Sequence, residues 1–157
     1  DKGSVFSIKI VRGNNSLLAT RKLTPQVHSW DLSGRRILVI DDEKDITKML
    51  LRYLKKHGND KAMFVNTGSD AISVLKEDDF DIIFLDLLMP GINGEEVFAE
   101  VKRLKYNIPV VIISGKIDIK SDSYIAKESY KILKKPFDMS DIMEILKSLN
   151  GKNPGGI

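Results

Sequence analysis

The chain has 157 residues, no cysteine and a formal charge of +3. That length suits one domain with some additional chain and a core that needs no covalent staple, and the absence of cysteine excludes disulfide frameworks, thiolate metal sites and cysteine nucleophiles. No apolar run approaches the roughly 18–20 residues of a membrane helix and no charged-then-apolar leader opens the sequence, which begins at Asp1 rather than Met and reads as an excised piece of something longer.

In chain order, Asp1 to Val11 alternates apolar and polar residues and predicts a strand, with residues 1–12 as one unit. Residues 13–34 read as a linker, with turn signals at Gly13-Asn14-Asn15 and Thr24-Pro25 and with Trp30 as an anchor. Val5, Ile8 and Leu17-Leu18 are apolar enough for this arm to pack on something, the following domain included. From residue 35 the pattern changes to alternating strands and helices, continuing to residue 150. Arg36 to Ile40 is an apolar run ending in Asp41-Asp42-Glu43, and Phe80 to Asp86 and Pro109 to Ile113 are two more. Runs of this kind, rich in β-branched residues, predict strands covered on both faces. Lys61 to Val65 and Lys131 to Lys134 are weaker strand signals.

Helical spacing separates these runs. Ile46, Met49, Leu50, Tyr53 and Leu54 share one helix face, as do Val97, Phe98, Val101 and Leu104, and as do Ile142, Ile145, Leu146 and Leu149. Ala71, Ile72 and Leu75 mark a shorter helix after Gly68-Ser69, and residues 117–127 predict a helix with a ragged apolar pattern. His57 reads as a helix cap beside Gly58. Residues 151–157 read as a disordered tail. Five strand–helix units imply right-handed crossovers and a parallel sheet between two helical layers.

A sequence pI of about 9.0 would fit a nucleic-acid partner, but the charge is unevenly distributed. Residues 1–35 carry six Lys/Arg and two acids, a balance of +4, whereas residues 36–150 carry 18 basic and 20 acidic residues, a balance of −2. The basic excess belongs to the flank, so no direct nucleic-acid contact is expected of the main body, and no membrane contact either.

In such sheets, ligands sit at the carboxyl ends of strands. There the sequence places Asp41-Asp42, Asp86, Ser114, and Lys135 followed by Pro136. Asp41-Asp42 alone would read as a solvated turn; with the other strand ends in register it reads as part of a site. Three carboxylates brought together repel unless a cation joins them, and oxygen ligands select a hard ion such as Mg²⁺. A lysine and a hydroxyl alongside can hold phosphoryl oxygens, leaving one carboxylate as a nucleophile. Gly91 and Gly94 read as loop geometry, because no Gly-rich phosphate loop surrounds them, and Asp81 reads as a strand-boundary residue.

Four stretches carry a family resemblance: Ile37-Leu-Val-Ile-Asp-Asp-Glu43, Asp81-Ile-Ile-Phe-Leu-Asp-Leu-Leu-Met-Pro-Gly-Ile-Asn-Gly94, Val110-Val-Ile-Ile-Ser-Gly115 and Leu133-Lys-Lys-Pro-Phe137. Together they resemble the receiver domain of two-component response regulators over about residues 35–150. The resemblance implies a CheY-like, flavodoxin-like α/β sandwich with a five-stranded parallel sheet. It implies Asp86 as phosphoacceptor, Asp42 as direct Mg²⁺ ligand, Asp41 as a ligand through water or a group that orients the site, and the backbone carbonyl of Leu88 as the remaining protein ligand. Ser114 would follow the phosphoryl oxygens, Lys135 would pair with the acceptor and then with the phosphoryl group, and Pro136 would follow a cis bond. The implied partner is a phosphohistidine donor, either a histidine kinase or a histidine phosphotransfer domain, in a cytoplasmic setting.

Three positions depart from the family pattern. Ile132 stands where an aromatic residue is usual, with Tyr130 nearby; Gly115 stands where Ala is usual; and Leu88, two positions past the acceptor, is unable to orient an attacking water, which implies slow loss of the phosphoryl group. Residues 1–12 resemble the last strand of a histidine-kinase ATP-binding domain, Gly-[Ser/Thr]-x-Phe, so the chain resembles the receiver end of a hybrid histidine kinase. Neither His28 nor His57 lies in a phosphohistidine pattern, which places the donor histidine elsewhere. Two other readings compete: a Mg²⁺-dependent phosphohydrolase with an aspartyl nucleophile, disfavoured by Leu88 where a second Asp is usual, and a non-phosphorylated pseudo-receiver, disfavoured by the complete acidic group and Lys135.

Overall fold

The computed structural model describes residues 32–105, 107–115 and 119–150. The expectations for residues 1–12, for the linker up to residue 31 with His28 and Trp30, and for the tail 151–157 lie outside them.

Strands and helices alternate five times: β1 (Ile37–Ile40), α1 (Lys44–Lys56), β2 (Met63–Val65), α2 (Gly68–Glu77), β3 (Ile82–Asp86), α3 (Gly94–Leu104), β4 (Val110–Ser114), α4 (Tyr124–Glu128), β5 (Lys131–Lys134) and α5 (Met139–Asn150). The strands form one parallel sheet in the order β2-β1-β3-β4-β5. This is the flavodoxin-like architecture expected from the alternation. The strand order reverses between β1 and β3, which opens a crevice at their carboxyl ends.

The two faces of the sheet make two cores. On one face, Leu50 and Leu54 of α1 and Ile142, Ile145 and Leu146 of α5 cover Ile37, Val39, Phe84 and Val111. On the other, Ala71 and Leu75 of α2 and Val97, Phe98 and Val101 of α3 cover Leu38, Ile40, Ile83 and Ile112. Every residue of β1, β3 and β4 is buried, as expected of continuous apolar runs covered on both sides. β2 is an edge strand with Met63 and Phe64 exposed, which accounts for its weaker sequence signal.

Two local expectations change. Of the helix expected over 117–127, residues 117 and 118 lie outside the described residues, and among 119–127 the helix is the short α4, which starts only at Tyr124. Ser123 stays extended and its Oγ accepts the N–H of Ala126 at 3.2 Å, so Ser123 caps the helix rather than joining it. Met49, placed on the apolar face of α1 by spacing, is 44% exposed. The cap at His57 is present: its Nδ1–H donates to the carbonyl of Tyr53 at 2.9 Å, and Gly58 follows at φ 87°. Asp81 bounds β3 as expected, its Oδ2 accepting the N–H of Arg36 at 2.8 Å.

Candidate functional site

The carboxyl ends of β1, β3, β4 and β5 converge. Asp41 follows β1 and extends its ladder, donating its N–H to the carbonyl of Val65 at 3.2 Å. Its own carbonyl accepts from Asn66 Nδ2 at 2.7 Å. Its side chain is fully buried, and Oδ1 accepts the N–H of Glu43 at 2.8 Å. Asp86 is the last residue of β3 and only 3% exposed. Its Oδ1 accepts the N–H of Leu88 at 2.8 Å, which fixes the carboxylate plane. Ser114 closes β4 and is buried. The N–H of Lys135 donates to the Ser114 carbonyl at 2.8 Å, so the β4 ladder positions the lysine backbone just past β5. A cis bond joins Lys135 to Pro136, as implied for this motif.

Lys135 ties these ends together. Its Nζ donates to Asp86 Oδ2 at 2.6 Å, to Asp41 Oδ2 at 2.9 Å and to Glu43 Oε1 at 2.7 Å. Asp42 lies beside them: carboxylate oxygens of Asp41, Asp42 and Asp86 are all within 4.8 Å of one another. Three carboxylates thus bond one ammonium, and a fourth lies beside two of them. Burial pushes the Asp41 carboxyl above its ordinary value, opposed by its bonds from Lys135 and the Glu43 N–H. Burial pulls the Lys135 ammonium down, but its bonds to Asp86, Glu43 and Asp41 outweigh this and hold it above the ordinary lysine value.

Backbone packing supports the site. The N–H of Gly94 donates to the Leu87 carbonyl at 3.2 Å. A Cβ on Gly94 would lie 2.2 Å from the Asp86 carbonyl oxygen and 2.4 Å from Leu87 Cα, so only glycine lets α3 start against the end of β3. Gly91 sits at φ 81°, where a side chain is strained. Gly91 serves loop geometry, as expected, whereas Gly94 serves the close approach of α3 to β3. The Leu88 side chain is half exposed and its N–H is on Asp86. Ile132 is half-buried against the second core, and the Tyr130 hydroxyl is bonded to Ser148 Oγ at 2.9 Å.

The structure therefore brings Asp41, Asp42, Asp86 and Lys135 together at the sheet edge, with Ser114 at the end of the adjoining strand. Sequence reasoning assigned no role to Glu43, although its place as third acid of the Asp41-Asp42-Glu43 run was a signal. A groove of about 470 Å³ opens beside Lys135, lined by Glu43, Ile46, Met49, Gly115, Pro136 and Phe137.

The sequence model of the response regulator receiver domain matches residues 37–147. Among solved structures, the chain is similar to the response regulator TrrA from Thermotoga maritima, solved in complex with Mg²⁺-BeF. Identity is 28%, over 73% of this chain and 98% of that one, with a TM-score of 0.66. The receiver domain of a Francisella response regulator is 24% identical, over 73% of this chain and 95% of that one, at TM-score 0.65. A CheY-like receiver domain from Methanospirillum hungatei JF-1 is 20% identical, over 74% and 97%, at TM-score 0.63. The last two likenesses establish the fold alone. Among the described residues, no helix is long and apolar enough to cross a membrane.

Proposed function

Because this chain belongs to the response regulator receiver domain family, we propose that it accepts a phosphoryl group from a phosphohistidine onto Asp86, with Mg²⁺ required. The observation that carries this reading is the Lys135 ammonium bonded to both Asp86 and Asp41, with Asp42 alongside. The donor atoms suit the ion. They are all oxygens, and their 4.8 Å spread is close to the roughly 4.2 Å between opposite ligands of a Mg²⁺ ion that binds oxygen at about 2.1 Å. Asp42 and Asp86 would hold it directly, Asp41 through water, and the Leu88 carbonyl would complete the protein ligands. The bound ion supplies charge neutralisation where phosphoryl oxygens and carboxylates meet.

In the transfer, an Asp86 carboxylate oxygen forms a bond to phosphorus as the P–N bond of the donor breaks. The bonding pair leaves with the imidazole nitrogen, which takes a proton from solvent. Lys135 stabilises the incoming phosphoryl oxygens, and Ser114 follows them, drawing the loop behind β4 with it. The groove beside Lys135, with exposed Met49 on its rim, leaves room for the donor domain to approach. Residues 1–12 would be the end of a histidine-kinase domain, 13–34 a linker and 35–150 the receiver, as in a hybrid kinase. Leu88 offers no acid or base for hydrolysis, which favours a lasting adduct over turnover.

Incubation with Mg²⁺ and acetyl phosphate, followed by intact mass measurement, tests this. One phosphoryl adduct is expected, lost in Asp86→Asn and without Mg²⁺. Continuous consumption of the donor would favour a hydrolase, and absence of any adduct would favour a pseudo-receiver.

A further inference from the structure

Glu43 occupies the N-cap position of α1, yet its side chain makes no capping bond. Ser, Thr, Asp or Asn at that position would satisfy a free helix N–H. The Glu43 carboxylate instead extends to Lys135, a residue 92 positions away in sequence, and meets Nζ at 2.7 Å. A lysine ammonium has three N–H donors and no acceptor. All three are committed here, to Asp86, Asp41 and Glu43. No donor remains for a further acceptor unless one of these bonds is released.

The three acceptors differ in what release costs. The Asp41 and Asp86 side chains are 0% and 4% exposed, whereas that of Glu43 is 58% exposed. A buried carboxylate that loses its partner is left desolvated, while Glu43 can turn to water. We propose that Glu43 is a positioning residue that holds the third N–H of Lys135 while Asp86 is unmodified and gives it up when a phosphoryl group arrives. It keeps the lysine extended across the site at rest, and it competes with the phosphoryl oxygens for the same proton. Its negative charge also favours a divalent cation at rest and disfavours an anion on Asp86. The proposal rests on the reading of Asp86 as phosphoacceptor.

The test is Glu43→Gln in the full chain, titrated with Mg²⁺ alone and with beryllium trifluoride in saturating Mg²⁺, with binding followed by the site's amide NMR signals. Affinity for Mg²⁺ alone is expected to fall, and affinity for beryllium trifluoride to rise, each about two- to five-fold, the scale of a partly exposed ion pair. The extent of labelling by acetyl phosphate at equal times should rise with the latter. A purely structural role would move both affinities the same way or neither, and either result overturns the proposal. The two readings fail separately. An adduct that persists in Asp86→Asn removes the premise, whereas a normal Asp86 adduct with unchanged affinities in Glu43→Gln removes only the role of Glu43.

Discussion

The two ends of the sheet both carry acids and bases, but they use them differently. At the amino ends, Arg36 meets Asp78 at 2.5 Å, Lys105 meets Asp79, and Asp81 accepts the N–H of Arg36. Asp78 and Asp79 each face a separate cation there, Asp81 is held by a backbone N–H, and both side chains of the Arg36–Asp78 pair are well exposed, at 42% and 39%. At the carboxyl ends, Asp41, Asp86 and Glu43 share the single ammonium of Lys135, with Asp42 beside them, and two of these acids are almost wholly buried. Matched, exposed pairs are ordinary surface chemistry. Unmatched negative charge held in a buried cluster costs stability and makes physical sense where a cation and a phosphoryl group complete it.

The sharpest way to break that contrast is Lys135→Ala. It removes the one positive charge from two buried carboxylates, and without divalent cation it should cost about 3 kcal/mol at neutral pH, the lower end of the range for a broken buried pair. Urea unfolding measures this, and a loss below roughly 0.5 kcal/mol would put the two ends of the sheet on a par. Mg²⁺ should then stabilise the variant more than the wild type, because no ammonium competes for the carboxylates.

Mg²⁺ itself is the next probe. At a hundred times its dissociation constant, a ligand of the folded state adds about 2.7 kcal/mol. That gain should appear in the wild type and shrink sharply in Asp42→Asn, since Asp42 is not one of the three acceptors of Lys135. The gain should also depend on pH. Burial raises the folded pKa of Asp41 above its unfolded value, so ionised Asp41 destabilises the apo fold fully above the folded pKa, and the penalty shrinks as pH falls from there and is gone below the unfolded pKa. Cation binding needs the ionised form, so the Mg²⁺ gain fades over the same fall, starting above the ordinary value of an Asp carboxyl. The Lys135 contribution does not change in this window: its folded pKa is raised, so the contribution is fully present below its unfolded value near 10.5.

Gly94→Ala tests the scaffold beneath the site. The new methyl would meet backbone atoms of Asp86 and Leu87 that no side-chain rotation can clear. Overpacking of this kind costs about 1–3 kcal/mol, and here it would also push the start of α3 away from Asp86. Reduced stability with reduced acetyl-phosphate labelling is expected; reduced stability with normal labelling would show that the start of α3 does not position the acceptor.

How far the sequence discloses these features follows from how locally each is encoded. β1, β3 and β4 are legible because burial on both faces demands unbroken apolar runs. β2 and β5 are fainter because they lie at the edges: in β5 only Leu133 is buried. α4 is misjudged in extent because Ser123 caps it late, and capping overrides a weak apolar pattern. Asp41, Asp42, Asp86 and Lys135 are legible because strand ends in a parallel sheet must converge. Glu43 is not, since its role depends on a distance across 92 positions that no spacing rule reports. The near contact of Gly68 with the carbonyl of Ile92, where a Cβ would come within 2.4 Å, is hidden for the same reason.

The smallest effect belongs to Arg36→Ala at the opposite end of the sheet. The variant loses the ion pair with Asp78 and the guanidinium placed 5.7 Å from the centre of the Phe80 ring, but keeps the backbone bond to Asp81. Both charged partners of the pair are more than a third exposed, so water replaces most of what is lost, and the cost should be about 0.5 kcal/mol. Because the pair is exposed, 1 M salt should erase most of that difference, screening charges beyond about 3 Å. The Mg²⁺ gain should equal that of the wild type, since nothing at the carboxyl ends has changed. A cost approaching that of Lys135→Ala, or an altered Mg²⁺ response, would mean that the two ends are coupled through β1 and that charge mismatch does not by itself distinguish the functional edge.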